Sequence, residues 1–391
     1  MSRSGPGLVV AVEATHLPDE VRGIGRYVRA LLPRILALEP RLQLALFTRH
    51  DVEALDAEVS SDSTLRGRAG VLHARELRPS SADLFWYPWN VAYPLLSCGA
   101  IVVTMHDVVP VVLPDPRRSR WWKNLRWRRR YAATARRATV IMADSAFTAR
   151  EVGRVLGFPS RRIRVTPLAA DDLPVPPVAG DAAALARLGV TSPFFLAVGA
   201  ADPRKNLALL YGAMQRVVLS TPPASLVLAG PRRGSDPPAP SAPWVRTLGF
   251  VSDSDLAVLY RRATALVMPS IYEGFGLPVL EAMRLGGPVI CARASSLPEV
   301  AGDAAAWFDP HDEADLAATL ARVLSDDGMR ARMRAAGLRR AARFSWDETA
   351  RATLRAFEDA LGLRGTSLSG RMRGEEVEDG SSRRLQGRGA R

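Results

Sequence analysis

The chain has 391 residues, of which 47% are hydrophobic and 24% charged, and it carries a formal net charge of +13. This composition excludes disorder throughout and, at roughly 150 residues per domain, points to two or three domains. Its two cysteines, Cys98 and Cys291, exclude a disulfide framework or a cysteine-built zinc site and suit a reducing compartment.

The positive charge is local. Arg117 to Arg137 holds ten basic residues and no acidic one, the tail Arg364 to Arg391 holds seven basic against four acidic, and the rest of the chain is neutral. A broad nucleic-acid-binding surface is therefore not expected; a basic patch and a solvated tail are. Only Lys123 and Lys205 are lysines, so a lysine inside a motif stands out. No apolar run approaches about 18 residues, and Met1 to Leu8 lacks the apolar stretch of a secretory signal, which reads as a cytoplasmic protein without a membrane-spanning helix.

Strand-like and helix-like segments alternate, the pattern of an α/β protein with parallel sheets. Leu8 to Val12 reads as a strand, Gly23 to Leu38 as a glycine-led helix and Leu42 to Phe47 as a strand. A polar stretch follows at Asp51 to Arg68, then strands near Leu84 to Tyr87 and at Ala100 to Met105, the latter ending on His106-Asp107. Ser145 suits the cap of a helix that Gly157 closes, and Ile163 to Thr166 returns as a strand. The proline-rich Leu173 to Gly180 marks a boundary between residues 1–172 and 173–345. Beyond it come strands at Phe194 to Val198, Ser225 to Ala229, Val245 to Phe250, Ala265 to Met268 and Val289 to Cys291. The helices between and after them are Asn206 to Leu219, Asp253 to Ala263, Pro278 to Leu285, Ala314 to Leu324, Gly328 to Arg343 and Trp346 to Leu361.

Met268 to Ile290 is the most informative stretch. A strand ends at Met268, an exposed loop carries Glu273-Gly274-Phe275-Gly276-Leu277, and Pro278 sits where proline favours the first helical turn. Ligands of open α/β sheets bind beyond the carboxyl ends of strands, and the N–H groups of a helix start suit a phosphate. Glu273 and Glu281, with seven residues between them, would repel a phosphate but accept hydrogen bonds from hydroxyls on either side of it, such as those of a sugar and a ribose. On spacing alone, the same residues also suit a plain turn followed by a solvated helix carboxylate.

The stretch from Glu273 to Ala304 closely resembles the donor-binding signature of retaining GT-B glycosyltransferases of family 4. The resemblance runs from Gly23 to about Leu361 and includes GIGRY at Gly23 to Tyr27, TMHD at Thr104 to Asp107, DSAFT at Asp144 to Thr148, DPRKN at Asp202 to Asn206 and GFVSDSDLAVLY at Gly249 to Tyr260. It implies two Rossmann-like domains facing across a cleft, the first for the acceptor and the second for a nucleotide diphosphate sugar, with residues 346–362 crossing back to the first and a disordered basic tail. It further implies that Arg204 and Lys205 contact the donor diphosphate, that His106 lines the active site near the transferred sugar, and that Gly25 brings backbone close to the diphosphate. Glu273 would bind the sugar hydroxyls and Glu281 the ribose, with Gly274, Phe275, Gly276 and Leu277 shaping the donor site. Many family members carry an arginine where this chain has Ala200.

Two fixed cations can stabilise a departing diphosphate without a metal, so neither metal nor cofactor is expected. The resemblance favours GDP-mannose as donor, ahead of a UDP-sugar, and a glycolipid or polysaccharide precursor as acceptor. Arg117 to Arg137, with its tryptophans, has the chemistry of a surface that docks on an anionic membrane, though its amphipathicity is imperfect, and a basic surface helix explains it equally well. Two readings from other classes stand beside the transferase: a nucleotide-sugar-binding scaffold without turnover, and an arginine-rich nucleic-acid-binding protein, whose affinity would fall steeply with salt.

Overall fold

A computed structural model describes residues 7–20, 23–78, 80, 82–93, 99–113, 121–199, 202–220, 224–230 and 239–363. Cys98, Ala200, the basic residues Arg117, Arg118 and Arg120, much of the loop after Gly230 and the tail from 364 onward lie outside them. Among the described residues, strands β1 (Val9–Glu13), β2 (Gln43–Thr48), β3 (Ala69–His73), β4 (Leu84–Tyr87), β5 (Ala100–Met105), β6 (Val140–Ala143) and β7 (Ile163–Val165) form one sheet in the order β3-β2-β1-β4-β5-β6-β7. A second sheet contains β8 (Phe194–Val198), β9 (Ser225–Ala229), β10 (Val245–Gly249), β11 (Ala265–Met268), β12 (Val289–Ala292) and β13 (Ala306–Phe308) in the order β10-β9-β8-β11-β12-β13. The strand pairs are parallel.

The strand sequences explain this topology. Leu84–Tyr87, Ala100–Met105, Val140–Ala143, Ala265–Met268 and Val289–Ala292 are buried along their whole length. Such unbroken apolar runs fit interior parallel strands covered on both faces by helices. Each sheet is doubly wound, because its order reverses once, between β1 and β4 in the first and between β8 and β11 in the second. The carboxyl ends flanking such a reversal are where this architecture binds ligands.

Local chemistry sets the helix ends. Gly23, with φ 64° and ψ −120°, occupies a conformation closed to most side chains at the start of the helix Ile24–Leu38. Ser145 accepts the Thr148 N–H and Gly157 turns left-handed, so the helix Ala146–Leu156 starts and stops as its sequence indicates. The polar stretch from Asp51 is more ordered than its composition suggests. The Asp51 carboxylate accepts the N–H groups of Glu53 and Ala54 and starts the helix Val52–Ser61, and the half-buried edge strand β3 follows. After the proline-rich segment the chain forms the helix Asp181–Leu188, whose buried Asp181 pairs with Arg261 and Arg262.

The described residues divide into two compact units, the first within Met1–Thr104, Ala133–Ile141 and Thr353–Arg391, the second within Met105–Ala132 and Met142–Ala352. In the second unit, the last helix, Trp346–Gly362, starts where Asp171 accepts the Trp346 backbone N–H (3.1 Å) and Asp172 its indole N–H (2.8 Å). From Thr353 onward this helix belongs to the first unit, where the fully buried Phe357 meets the Trp86 ring edge-on at 5.6 Å. Among the described residues no helix is long and apolar enough to cross a membrane.

Removing the Phe357 ring leaves a void beside Trp86 that the β-sheet cannot close. Phe357→Ala should lower stability by about 3–5 kcal/mol, read from the shift of the urea unfolding transition. A loss below about 1 kcal/mol would show that this contact does not hold the helix end in place.

Candidate active site

The second unit concentrates charge at the reversal of its sheet. Downstream of β8, Asp202 accepts the Arg204 N–H (3.0 Å) and caps a single turn, Pro203–Lys205, before Asn206 enters the left-handed region and the helix Leu207–Ser220 begins. The Arg204 carbonyl in turn accepts the N–H of Ile271 at 2.8 Å, tying this turn to the loop that leaves β11. Both cations then meet one carboxylate: Lys205 Nζ lies 2.7 Å from Glu273 Oε1, and Arg204 Nη1 lies 3.2 Å from Glu273 Oε2.

Glu273 is only 6% exposed. Burial pushes its carboxyl up, but the charges of Lys205 and then Arg204 outweigh that and hold it below the usual carboxylate range. The pairing therefore stabilises the fold at neutral pH and is lost as pH falls through the depressed value.

The sequence reading expected this loop to be exposed. It is not: Tyr272 to Gly276 is buried throughout. Burial of an irregular segment requires its backbone groups to be satisfied, and nearby hydroxyls do this. Ser295 Oγ accepts the Glu273 N–H (2.9 Å), and Ser296 Oγ lies within bonding distance of the carbonyls of Glu273 (2.9 Å) and Phe275 (2.7 Å). Ser145 and Thr148 donate to the Gly274 carbonyl at 2.6 and 3.0 Å.

The close approach that Gly274 permits is to protein backbone, since a Cβ there would sit 1.8 Å from the His106 carbonyl oxygen. Gly276, at φ 107°, precedes the helix Leu277–Arg284 and caps it with no side chain, so its first turn draws no side-chain acceptor from that position. Phe275 packs edge-on against Phe344 at 5.9 Å, and Leu277 is half-buried.

His106 is buried where β5 ends. Its Nδ1 lies 2.6 Å from Oδ2 of Asp144, which stands where β6 ends. With the carboxylate as acceptor, Nδ1 donates to Asp144 and the ring is held in one orientation. Asp107 accepts the Val109 N–H at 3.0 Å; burial raises its carboxyl against the opposing pull of Arg204 and His106. Glu281 is not a solvated helix residue: it is 8% exposed and accepts the Tyr260 hydroxyl at 2.7 Å.

A hollow opens at the carboxyl ends of β8, β9 and β11, lined by Val198, Gly199, Lys205, Tyr211, Ala229 and Thr247 among others. Its walls are largely apolar and Lys205 stands on its rim, an arrangement that suits a flat, weakly polar group joined to an anion.

Among the residues expected from sequence, Arg204, Lys205 and Glu273 are thus in direct contact, Gly274 abuts His106, and Glu281 lies on the helix that the glycine loop starts. Gly25 belongs to the first unit, where its missing side chain has a local reason: a Cβ would sit 1.7 Å from the Glu20 carbonyl oxygen. Sequence reasoning assigned no role to Asp144. Its signal was available, because Asp144-Ser145 ends an apolar strand just as His106-Asp107 does. Ser296 and Tyr260 left no comparable mark.

The fold is that of a nucleotide-sugar-dependent glycosyltransferase with two Rossmann-like domains, the GT-B architecture. Residues 186–340 match the family model "Glycosyl transferases group 1", and residues 21–172 match "Glycosyltransferase Family 4". The chain is 30% identical to O-antigen chain mannosyltransferase B of Escherichia coli, over 90% of this chain and 99% of that one. It is 28% identical to the MMP alpha-(1->4)-mannosyltransferase of Mycolicibacterium hassiacum, over 70% of this chain and 67% of the relative. Among solved structures, sucrose-phosphate synthase of Thermosynechococcus elongatus superimposes with a TM-score of 0.67 at 21% identity, covering 91% of this chain and 99% of the other. Anabaena HepE in complex with UDP-glucose gives 0.67 at 16% identity, covering 90% and 99%. The chain belongs to the family 4, group 1 glycosyltransferases.

The Gly274 contact can be tested directly. Gly274→Ala must displace either the glycine loop or the His106 backbone, at a cost of about 1–3 kcal/mol or more, and should remove most transferase activity. Gly180→Ala, where nothing lies within 4 Å of the added carbon, serves as the control and should change neither the thermal midpoint nor the activity.

Proposed function

We propose that the chain is a retaining mannosyltransferase that moves mannose from GDP-mannose to a hydroxyl of a polysaccharide or glycolipid precursor. The observation that carries this reading is the buried Glu273 held between Lys205 and Arg204 at the reversal of the second sheet. The mannosyltransferase relatives support the choice of sugar.

One contact to Glu273 leaves the ammonium of Lys205 with two of its three donors for phosphate oxygens, and the Arg204 guanidinium keeps most of its five. The hollow beside Lys205 would take the base, and Glu281 a ribose hydroxyl. Glu273 also has spare lone pairs for a sugar hydroxyl, so it positions the cations and the mannose together.

Retention follows if the acceptor oxygen attacks C1 on the face from which the diphosphate leaves. The C1–O bond to the diphosphate breaks as the new one forms, and a departing phosphate oxygen takes the acceptor proton. Arg204, Lys205 and the first-turn amides of the helix Leu277–Arg284 stabilise the charge that collects on the leaving group, so the reading requires no metal. His106, oriented by Asp144, lines the site near the transferred sugar.

Lys205→Ala and Glu273→Ala should each lower turnover on the order of 10²–10³-fold, measured as GDP release in the presence of acceptor, with the fold retained by circular dichroism. Full activity in both would remove these roles. In a thermal-shift panel of GDP-, UDP- and ADP-sugars, GDP-mannose should give the largest stabilisation; a larger shift with a UDP-sugar would reassign the donor.

The helix Trp121–Arg137 exposes Trp122, Lys123, Arg126, Trp127 and Arg128 to Arg130 and contains no acidic residue, a chemistry that suits an anionic lipid surface. The protein should therefore sediment with vesicles containing phosphatidylglycerol and not with pure phosphatidylcholine. Replacing Arg128, Arg129 and Arg130 together by glutamate should release it, and unchanged sedimentation of that variant would exclude this surface.

A further inference from the structure

The second sheet ends on an edge strand, β13, and the loops that leave β12 and β13 carry side chains that the proposed chemistry does not use. A cleft of about 560 Å³ lies there, lined by Ile271, Arg293, Trp307, Asp309, His311 and Asp315 among others. Its size falls within the roughly 300–1,000 Å³ of small-molecule sites.

Trp307 is half-buried on β13, and the guanidinium carbon of Arg293, just past the end of β12, lies 5.2 Å from the centre of its ring. A guanidinium that rests on a ring in this way spends none of its five N–H donors. Arg293 is exposed, and among the described residues its side chain has no hydrogen bond or ion pair.

The loop from β13 to the helix Glu313–Ser325 supplies acceptors. Asp309 Oδ1 accepts the His311 N–H at 2.9 Å, and Asp315 Oδ2 accepts the Asp309 N–H at 2.8 Å. Each carboxylate thus spends one oxygen on shaping the loop and keeps the other. The Asn206 side-chain amide donates to the Pro310 carbonyl at 2.9 Å and pins the loop to the turn that carries Arg204 and Lys205. The groups that line the cleft are therefore held in place by contacts within the protein.

Their chemistry selects a class of ligand. One arginine against two carboxylates makes the lining weakly acidic, which disfavours phosphates, nucleotides and other anions. An apolar ligand would strip water from the arginine and both acids without replacing its hydrogen bonds. A neutral pyranose has an apolar C–H face for the ring of Trp307, and adjacent hydroxyls that accept from Arg293 and donate to Asp309 and Asp315.

We propose that this cleft is a saccharide-binding site of the second unit, in which Trp307 and Arg293 form the platform and Asp309 and Asp315 accept sugar hydroxyls. It holds a mannose-containing chain through residues other than those that grip the donor. The choice of mannose rests on the mannosyltransferase reading; the site itself rests on these side chains.

The test is hydrogen exchange followed by mass spectrometry on the full chain, with linear α-mannotetraose as the probe. Saturating mannotetraose should slow exchange about threefold in peptides spanning Arg293 to Asp315, and saturating GDP should leave that protection unchanged. Arg293→Ala removes an exposed side chain, and Trp307→Leu keeps an apolar residue on β13. Both should retain the thermal midpoint and abolish the protection. Protection equal to wild type in both variants overturns the site, and so does its loss on adding GDP, which would assign the cleft to the donor. Protection by maltotetraose and not by mannotetraose upholds a saccharide site and overturns the choice of mannose; protection by neither overturns the proposal. Exchange needs no turnover, so a wild type that transfers nothing from GDP-mannose would sink the donor reading and leave this result standing.

Discussion

A single buried carboxylate sets the chemistry of the second unit. Removing Glu273 from water is expensive, and the cost is offset only because Lys205 and Arg204 arrive with good geometry. Neither cation could occupy that position without the carboxylate, since two like charges held together in a poorly hydrated site repel. Asp202 also stands 3.8 Å from Arg204, so two carboxylates face the two cations and hold them in place before any ligand arrives. That is the condition under which electrostatic stabilisation acts without reorganisation at the moment of bond breaking.

The loop that carries Glu273 is rigid for a separate reason. Hydroxyls of Ser145, Thr148 and Ser296 bond three successive carbonyls, and Ser295 takes the Glu273 N–H. With its oxygens engaged in this way, the segment enters the helix Leu277–Arg284 in one conformation, which the left-handed Gly276 requires. Ser145 also caps its own helix, so one side chain both starts the helix Ala146–Leu156 and holds the glycine loop. The His106–Asp144 contact applies the same principle to a side chain: a second buried group fixes the orientation of the ring.

Much of this was legible in the sequence because chain order carries it. Apolar runs ending in polar pairs gave most of the strands and placed His106-Asp107, Asp202 to Asn206 and Glu273 to Leu277 at carboxyl edges. The edge strand Ala69–His73 escaped because it is half-buried on both faces and lacks a two-residue alternation, and β13 because three residues carry too little pattern. Burial of the glycine loop was misjudged for a physical reason. Glycines and a charged residue look solvated, yet here hydroxyl donors distant in sequence satisfy the backbone, and two cations from another loop neutralise the charge. Tyr260 was hidden similarly: nothing at position 260 announces that its hydroxyl reaches a carboxylate 21 residues later.

The two sheets share a topological rule and use it with different chemistry. At the reversal of the second, an acid is buried between two cations that hydrogen-bond it, and its carboxyl is held below the ordinary range. At the reversal of the first, an acid is buried near one guanidinium that does not hydrogen-bond it, and its carboxyl is raised. Both acids lose water; they differ in how many partners replace it. Where two cations hydrogen-bond the acid, their charges outweigh burial, and where Thr15 supplies the hydrogen bonds and the guanidinium acts only through its charge, burial prevails. Counting the charged hydrogen-bond partners that replace lost water at each strand end therefore separates two kinds of buried acid that strand order alone would make equivalent.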